Sequence, residues 1–225
     1  DFPSIFYTRV IHSLADLARP ETREMITKLL KAGEEMQVML EEAMSFIEEM
    51  KAQGYPLATH ASGHAPFDVL ADYMRGSKGA MLDMFRNKEK LLKAIDKVTE
   101  FIPRIKTTER FGGNIVFIPL HWGLGGFMSP EQFETFFWPS LRKVLITLID
   151  AGLYPCCLWE GDCTSRLEVI KDVPVGKCIY FFERTDVFKA KEVLGDRVCI
   201  RGNVPVSMMI TGTPDEVRDY CRKLI

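Results

Sequence analysis

The sequence predicts an α/β fold, specifically an incomplete (β/α)8 TIM barrel with an N-terminal helical region. Four short apolar runs alternate with amphipathic segments after Asn114, which is typical of parallel strands covered by helices. No glycine-rich GxGxxG turn follows these runs, so a dinucleotide-binding sheet is disfavoured. A complete barrel needs about 250 residues, so a chain of 225 residues with four clear strands predicts a truncated barrel.

Composition excludes several classes of function. The formal net charge is −2, and acidic and basic residues are interspersed, so a nucleic-acid surface is not expected. No apolar stretch approaches the roughly 20 residues that span a bilayer, and the beginning DFPSIFYTRV lacks the layout of a signal peptide. We therefore expect a cytoplasmic protein without a nucleic-acid or membrane partner. The six cysteines lack the spacing of a disulfide framework and are expected to be reduced.

The first part of the chain, residues 1–113, is predicted to hold a helical cap and the early barrel elements. Apolar residues recur every three or four positions from Pro20 to Gln53, which predicts one long amphipathic helix or two shorter ones. The small-residue stretch LATHASGHAPFD that follows is typical of a loop. Further helices are predicted from Phe67 to Arg75 and from Lys88 to Ile105.

The second part, residues 114–225, is predicted to hold the C-terminal βα units of the same barrel. A capping pattern at Ser129 predicts a helix from Pro130 to about Ala151, and the same pattern at Thr213 opens the last helix. Two shorter helices are predicted near 166–171 and over VFKAKEVLG. The predicted strands are NIVFIPLH, YPCCLWEG, KCIYFFE and RVCIRGN. Because the sequence stops inside the last helix, we expect further barrel elements beyond it.

Polar residues end each of the four apolar strands. Active sites of (β/α) barrels gather at the carboxyl ends of the strands, so these residues are the first candidates for function. They are His121, Glu160, Asp162, Glu183, Asp186, Arg201 and Asn203.

Three segments of the sequence form recognisable motifs. In the first, AKEVLGDRVCIRGNVPVSMMITGTPDEVRDYCRKLI, a strand that ends in Gly-Asn precedes a helix that starts with Gly-Thr-Pro-x-Glu-Val. The other two, which lie earlier in the chain, are FMSPEQFETFFWPSLRKVL and RGSKGAMLDMFRNKEKLLKAIDKV. On these motifs the chain resembles the uroporphyrinogen-decarboxylase superfamily. The Arg-Gln-Ala-Gly-Arg-Tyr motif of the decarboxylase itself does not occur in this sequence. The zinc methylcobamide methyltransferases of the superfamily carry His-x-Cys at a strand end, where this sequence has Leu158 and Glu160. The pattern looks closer to the methyltransferase components of corrinoid-dependent aryl-ether demethylases.

The resemblance implies a metal and a corrinoid partner. Zinc accepts carboxylate oxygen and imidazole nitrogen in catalytic sites, so the implied metal ligands are Glu160, Glu183 and His121. The corrinoid is expected on a separate protein, because the Asp-x-His-x-x-Gly motif that ligates cobalt is absent from this sequence. A small-molecule substrate completes the expected set of partners, and a homodimer is an open alternative.

Each candidate also has a structural interpretation. Glu160 can cap the next helix or pair with Arg166, and Glu183 can pair with a neighbouring arginine. His121 can be a metal ligand, a general acid, or a core histidine. Asp186, a candidate catalytic residue, stands where helix N-caps occur.

Two residues of the last strand can contact a bound molecule. Arg201, counted with the catalytic candidates, and Asn203, counted as cofactor-binding, can bind a substrate carboxylate or hydroxyl.

The first functional hypothesis is a metal-dependent methyltransferase that moves a methyl group between a small methylated substrate, for example a methoxylated aromatic, and a protein-bound corrinoid. One alternative is a metal-free decarboxylase-like lyase that relies on Arg201 and Asp186. Another is a noncatalytic barrel that binds a tetrapyrrole or corrinoid.

Overall fold

The structure is a computed structural model that describes residues 14–55, 59–101 and 113–225. The chain forms two compact units, residues 1–56 and residues 57–225, and each is described by itself. The sequence predicted a different division, at residue 113, between a helical cap with early barrel elements and the C-terminal βα units of the same barrel. That division stays a prediction.

The first unit is dominated by one long helix. A 3₁₀ turn over Ala15–Ala18 precedes helix α1, Pro20–Ala52, which begins with a proline at its first position. None of its side chains is buried within the unit. The helix predicted from Pro20 to Gln53 is confirmed as a single element, and Gly54 ends it with a positive φ of 87°.

The second unit is built on a parallel sheet of five strands in the order β1-β2-β3-β4-β5. The strands are β1 (Thr59–Ser62), β2 (Ile115–Leu120), β3 (Tyr154–Trp159), β4 (Ile179–Phe182) and β5 (Cys199–Arg201). The four predicted strands are confirmed. Strand β1 lies in the stretch predicted to be a loop, and that prediction is wrong because its small residues pair along β2, with Ala61 beside Val116 and Ser62 beside Phe117.

Helices connect the strands. They are α2 (Pro66–Val69, continued by a π-turn over Leu70–Met74), α3 (Ser77–Arg86), α4 (Lys88–Phe101), α5 (Pro130–Gln132, continued by a π-turn over Phe133–Phe137), α6 (Trp138–Asp150), α7 (Leu167–Ile170, after a 3₁₀ turn over Thr164–Arg166), α8 (Val187–Leu194), α9 (Val206–Thr211) and α10 (Pro214–Leu224). Both predicted capping boxes form, at Ser129 and Thr213. Helices α3 and α9 were not predicted, and the predicted continuation of α4 over 102–105 lies outside the described residues.

The two faces of the sheet differ. Alternate strand residues, among them Ile118, Trp159, Tyr180 and Phe182, are buried in one apolar cluster with the helices. The residues between them, Phe117, Pro119, Leu158 and Phe181, are only partly buried. Side chains alternate between the faces of a strand, so one face carries the helices and the other, here called the inner face, stays accessible. The fold is α/β and consistent with part of a barrel. No helix of the described residues is long and apolar enough to cross a membrane.

Candidate functional site

His121, the first residue after β2, is fixed by two aspartates of the helix that follows β1. Its Nδ1 lies 2.7 Å from Asp72 Oδ2. Because an ionised carboxylate only accepts, Nδ1 carries the hydrogen of this bond. The other Asp72 oxygen accepts a hydrogen bond from the Trp122 indole at 2.6 Å. Asp72 therefore orients both side chains at this strand end.

Asp68 fixes the backbone of the same two residues. Its two oxygens accept the amides of His121 at 2.9 Å and Trp122 at 3.1 Å. Asp68 is only 2% exposed, and burial raises the pKa of its carboxyl to about 7, although the two amide hydrogen bonds lower it. Asp68 and Asp72 lie four positions apart, in α2 and in the π-turn that continues it, so they face the same side. Together they are called the carboxylate clamp.

The second ring nitrogen of His121 faces β3. His121 Nε2 lies 3.7 Å from Glu160 Oε1, and the Glu160 side chain is 41% exposed. Burial lowers the pKa of the imidazole, whereas the hydrogen bond to Asp72 raises it, and the negative charges of Asp68 and Glu160 raise it further. The net effect is a raised pKa, so the ring keeps its proton to higher pH. The arrangement can deliver a proton from Nε2 to a ligand at the strand ends.

Glu183, predicted as a third metal ligand, has a different partner. Its Oε2 accepts the backbone amide of Gly161 at 3.0 Å, which ties the end of β4 to the end of β3. Among the described residues, no three His, Cys, Asp or Glu side chains are arranged to hold a metal ion. The structure brings His121 and Glu160 together and gives Glu183 a backbone partner, and the predicted zinc site stays a prediction.

Asp186 caps a helix. Its Oδ1 accepts the backbone amides of Phe188 and Lys189, each at 3.0 Å, at the start of α8. The N-cap interpretation is confirmed. The contacts of Asp186 are those of a structural residue, and its predicted catalytic role gains no support from them.

Asn203 is also used by the protein itself. Its amide nitrogen donates to the carbonyls of Glu183 at 3.2 Å and Thr185 at 2.8 Å, and its carbonyl accepts from the Tyr220 hydroxyl at 3.2 Å. The residue is buried. Asn203 thus joins the ends of β4 and β5, and its predicted contact with a bound group stays a prediction.

Arg201 lies on the inner face of the sheet. It is the last residue of β5 and pairs in register with Phe181 of β4. Its guanidinium carbon lies 4.4 Å from the centroid of the Phe181 ring, and the residue is exposed. The charged end of Arg201 is therefore available to a ligand on that face.

Arg166, weighed as a partner of Glu160, binds backbone carbonyls instead. One of its terminal nitrogens donates to Leu124 at 2.8 Å and Met128 at 2.7 Å, and its guanidinium stacks on Phe133 at 4.2 Å. Burial lowers the pKa of this arginine. Arg166 thereby fixes the glycine-rich loop that follows His121, and Glu160 does not form the expected pair with it.

The carboxylate clamp was missed in the sequence. Asp68 and Asp72 stand in the run PFDVLADYM, where apolar residues surround two carboxylates at helical spacing. A carboxylate on the apolar face of a helix must be paired or neutralised, and that pattern could have indicated Asp68. Its partners, the amides after β2, lie some fifty positions away, and no local pattern points to them.

Comparisons with known proteins agree with this fold. Residues 6–225 match the model of the family described as uroporphyrinogen decarboxylase (URO-D). The chain therefore belongs to the uroporphyrinogen decarboxylase family.

Two known proteins are similar to this chain over about half of their own length. A uroporphyrinogen decarboxylase of Syntrophotalea carbinolica is 24% identical over 170 residues, which are 72% of this chain and 48% of that protein. The solved structure of a methyltransferase from Methanosarcina mazei superposes with a TM-score of 0.53 at 19% identity, over 72% of this chain and 47% of that one. The likeness shows a shared fold, and the chain spans about half the length of either relative.

Proposed function

We propose that this chain forms part of a cytoplasmic methyltransferase, which moves a methyl group between a small methylated substrate and a corrinoid carried by a separate protein. A methoxylated aromatic compound is the proposed methyl donor. The observation that carries the proposal is the oriented His121, with Nδ1 bound to Asp72 and Nε2 facing Glu160. The fold shared with the Methanosarcina methyltransferase agrees with it.

Demethylation of an ether needs a proton at the oxygen, because an alkoxide or phenolate is a poor leaving group. A reduced corrinoid on its own protein would supply the nucleophile for the methyl group, and the electron pair of the broken C–O bond would stay on the oxygen. His121 donates the Nε2 proton to that oxygen. Asp72 holds the Nδ1 hydrogen throughout, so the tautomer is fixed and Nε2 is the nitrogen that exchanges the proton.

Glu160 and Asp72 keep the acid charged before the transfer. Their negative charges favour the imidazolium form, which agrees with the raised pKa of His121. Asp68 holds the backbone of His121, so the ring cannot drift as the substrate enters. A fixed donor contributes more to the rate than a mobile one, since the reacting geometry is prepared in advance.

The inner face of the sheet suits an aromatic substrate. Leu158 and Phe181 are partly exposed there at one level of the parallel register, and the partly exposed Phe117 lies two positions earlier, at the level of Cys156. A ring packed on these side chains removes apolar area from water, at about 25 cal/mol per Å². The polar ends of the same strands then lie at the edge of the bound ring.

Zinc bound by Glu160 is a separate proposal, and the proton transfer from His121 does not depend on it. The metal content of the full-length protein, purified without chelators, tests it beside a Glu160→Ala variant. About one zinc per chain that is lost in the variant would support a metal bound by Glu160. A protein without zinc would leave His121 as the sole proposed activating group.

The proposed function is tested by methyl transfer itself. The full-length enzyme is incubated with a methoxybenzoate and a reduced corrinoid protein, and methylation of the corrinoid is followed by its absorbance. We expect turnover, and a loss of about 10²-fold to 10⁴-fold in the His121→Gln variant.

The control is His64→Gln, since His64 packs against the Tyr73 ring with centroids 5.8 Å apart and has no role in the proposed transfer. Its rate should match the unmodified enzyme. Release of carbon dioxide from uroporphyrinogen without corrinoid methylation would instead favour the lyase. Tight corrinoid binding without either reaction would favour the noncatalytic barrel.

A further inference from the structure

The loop that follows His121, residues 122–128, is anchored by a buried arginine. Arg166 is 4% exposed, and one of its terminal nitrogens donates to the Leu124 carbonyl at 2.8 Å and to the Met128 carbonyl at 2.7 Å. The Met128 side chain is itself buried in the apolar cluster. A loop that is held at two of its carbonyls and at a buried side chain has few conformations open to it, so its side chains keep their positions.

Phe127 is the large apolar side chain that this loop exposes. It is 51% exposed, and its ring packs edge-to-face against the Trp122 ring, with centroids 4.9 Å apart. Trp122 is fixed in turn, because its indole donates a hydrogen bond to Asp72 at 2.6 Å. The Phe127 ring is therefore exposed but already oriented. An oriented aromatic side chain loses little conformational freedom when a ligand packs against it.

The same loop borders the gap between His121 and Glu160. It begins directly after His121, and it also packs close to the loop after β3, where a β-carbon added at Gly161 would lie 3.0 Å from Leu124 Cδ1. Glu160 stands immediately before Gly161, and its carboxylate lies 3.7 Å from His121 Nε2. A ligand whose oxygen lies at Nε2 therefore has this loop as a neighbour.

We infer that Phe127 is a specificity-determining residue, whose ring packs against the aromatic ring of the substrate while the ether oxygen lies at His121. The assignment of the ligand as an aromatic ether rests on the proposed function. The contact favours an aromatic ring over a saturated one, because two aromatic rings attract each other through their edges and faces beyond the area that they bury. Burial of apolar area alone would favour both kinds of ring alike.

The test compares two ethers that share the methoxy group and differ in the ring. Dissociation constants of methoxybenzene and methoxycyclohexane for the full-length protein are measured by NMR titration, without any corrinoid. An aromatic pair corresponds to a preference on the order of 2-fold to 10-fold, so the preference for methoxybenzene should fall by that factor in Phe127→Leu. Leucine keeps an apolar contact and removes the ring, so the affinity for methoxycyclohexane should stay close to that of the unmodified protein.

Two further variants act as controls. Phe85→Leu removes a phenylalanine of helix α3 that is 76% exposed, and it should leave the preference unchanged. Phe127→Tyr keeps an aromatic ring at the site and should keep the preference as well. Circular dichroism verifies that each variant is folded.

The inference is overturned if the unmodified protein binds neither ether, if Phe127→Leu keeps the full preference, or if Phe85→Leu lowers it equally. Failure of the proposed function has a different signature. If the preference depends on Phe127 but no methyl group reaches the corrinoid, the proposed function fails and the aromatic contact stands. If methyl transfer occurs and Phe127→Leu keeps the preference, the methyltransferase stands and the contact does not.

Discussion

The two halves of the sheet use their polar strand ends differently. At the ends of β2 and β3, His121 keeps one ring nitrogen directed at Glu160, and Glu160 is partly exposed. At the ends of β4 and β5, Asp186 binds a backbone amide of helix α8, which it caps, and Asn203 binds a backbone carbonyl of the loop after β4. The comparison shows that a polar residue at a strand end is free for chemistry only when the fold leaves its hydrogen-bonding atoms available.

Within the first half, the residues that hold His121 in place differ from the residue that transfers the proton. The carboxylate clamp is as fully engaged as Asp186, but its partners are His121 and Trp122. Its contacts fix the reacting group rather than a helix or a loop. Variants of the clamp should therefore change both stability and activity, whereas variants of Asp186 and Asn203 should change stability alone.

The largest effect on stability is expected for Asp68→Ala. Two backbone amides lose their acceptor, and these partly buried donors, left without a partner, cost about 3 kcal/mol together. Urea unfolding of the variant and the unmodified protein measures this difference. A change below about 0.5 kcal/mol, which is typical of surface sites, would contradict the role of Asp68 in the clamp.

Asp68 should also make stability depend on pH. Its folded-state pKa is raised to about 7, above its unfolded value of about 3.9, so the folded protein holds this proton more tightly. The resulting stability is present at low pH and is lost as the pH rises through about 7. The free energy of unfolding should fall less between pH 4 and pH 7 in Asp68→Asn than in the unmodified protein, and equal slopes would count against this assignment.

A smaller effect is expected for Asp186→Ala. Loss of an N-cap costs about 1 kcal/mol, and the rate of methyl transfer should stay close to that of the unmodified enzyme. Thermal unfolding and the corrinoid assay measure the two quantities side by side. A large loss of activity at unchanged stability would restore Asp186 as a catalytic residue and remove the distinction between the two halves of the sheet.

The smallest effect on stability is expected for Glu160→Gln. Glu160 is partly exposed and 3.7 Å from its partner, and exposed ion pairs contribute about 0–1 kcal/mol. The pKa of His121 should nevertheless fall, because one of the negative charges that raise it is removed. NMR titration of the His121 ring measures the shift, and an unchanged pKa would show that Glu160 does not act on His121.

Much of the fold could be predicted from the sequence. Four apolar strands, the long helix Pro20–Ala52 and both capping boxes follow from local patterns of apolar and capping residues. Strand β1 could not be predicted, because THAS has no apolar alternation and is a strand only through its pairing with β2. Its four residues depend on a partner some fifty positions away in the chain.

The candidate site was predictable only in part. His121 and Glu160 follow from their positions at strand ends, and the structure places them together. The side-chain orientations of Glu183, Asn203 and Arg166 depend on which backbone groups lie near them. Tertiary packing determines these hydrogen-bond partners, and they cannot be predicted from residue type and spacing.

The most direct test of the central claim, that His121 is the general acid held by Asp72, is the pH dependence of methyl transfer. A general acid works only while protonated, so the rate should persist above pH 6.5, the usual pKa of histidine, and fall as the pH rises through the raised pKa of His121. In Asp72→Asn the fall should move to lower pH, because the hydrogen bond that raises this pKa is weakened, whereas Asp186→Asn should leave the profile unchanged. Superimposable profiles for Asp72→Asn and the unmodified enzyme would contradict the account.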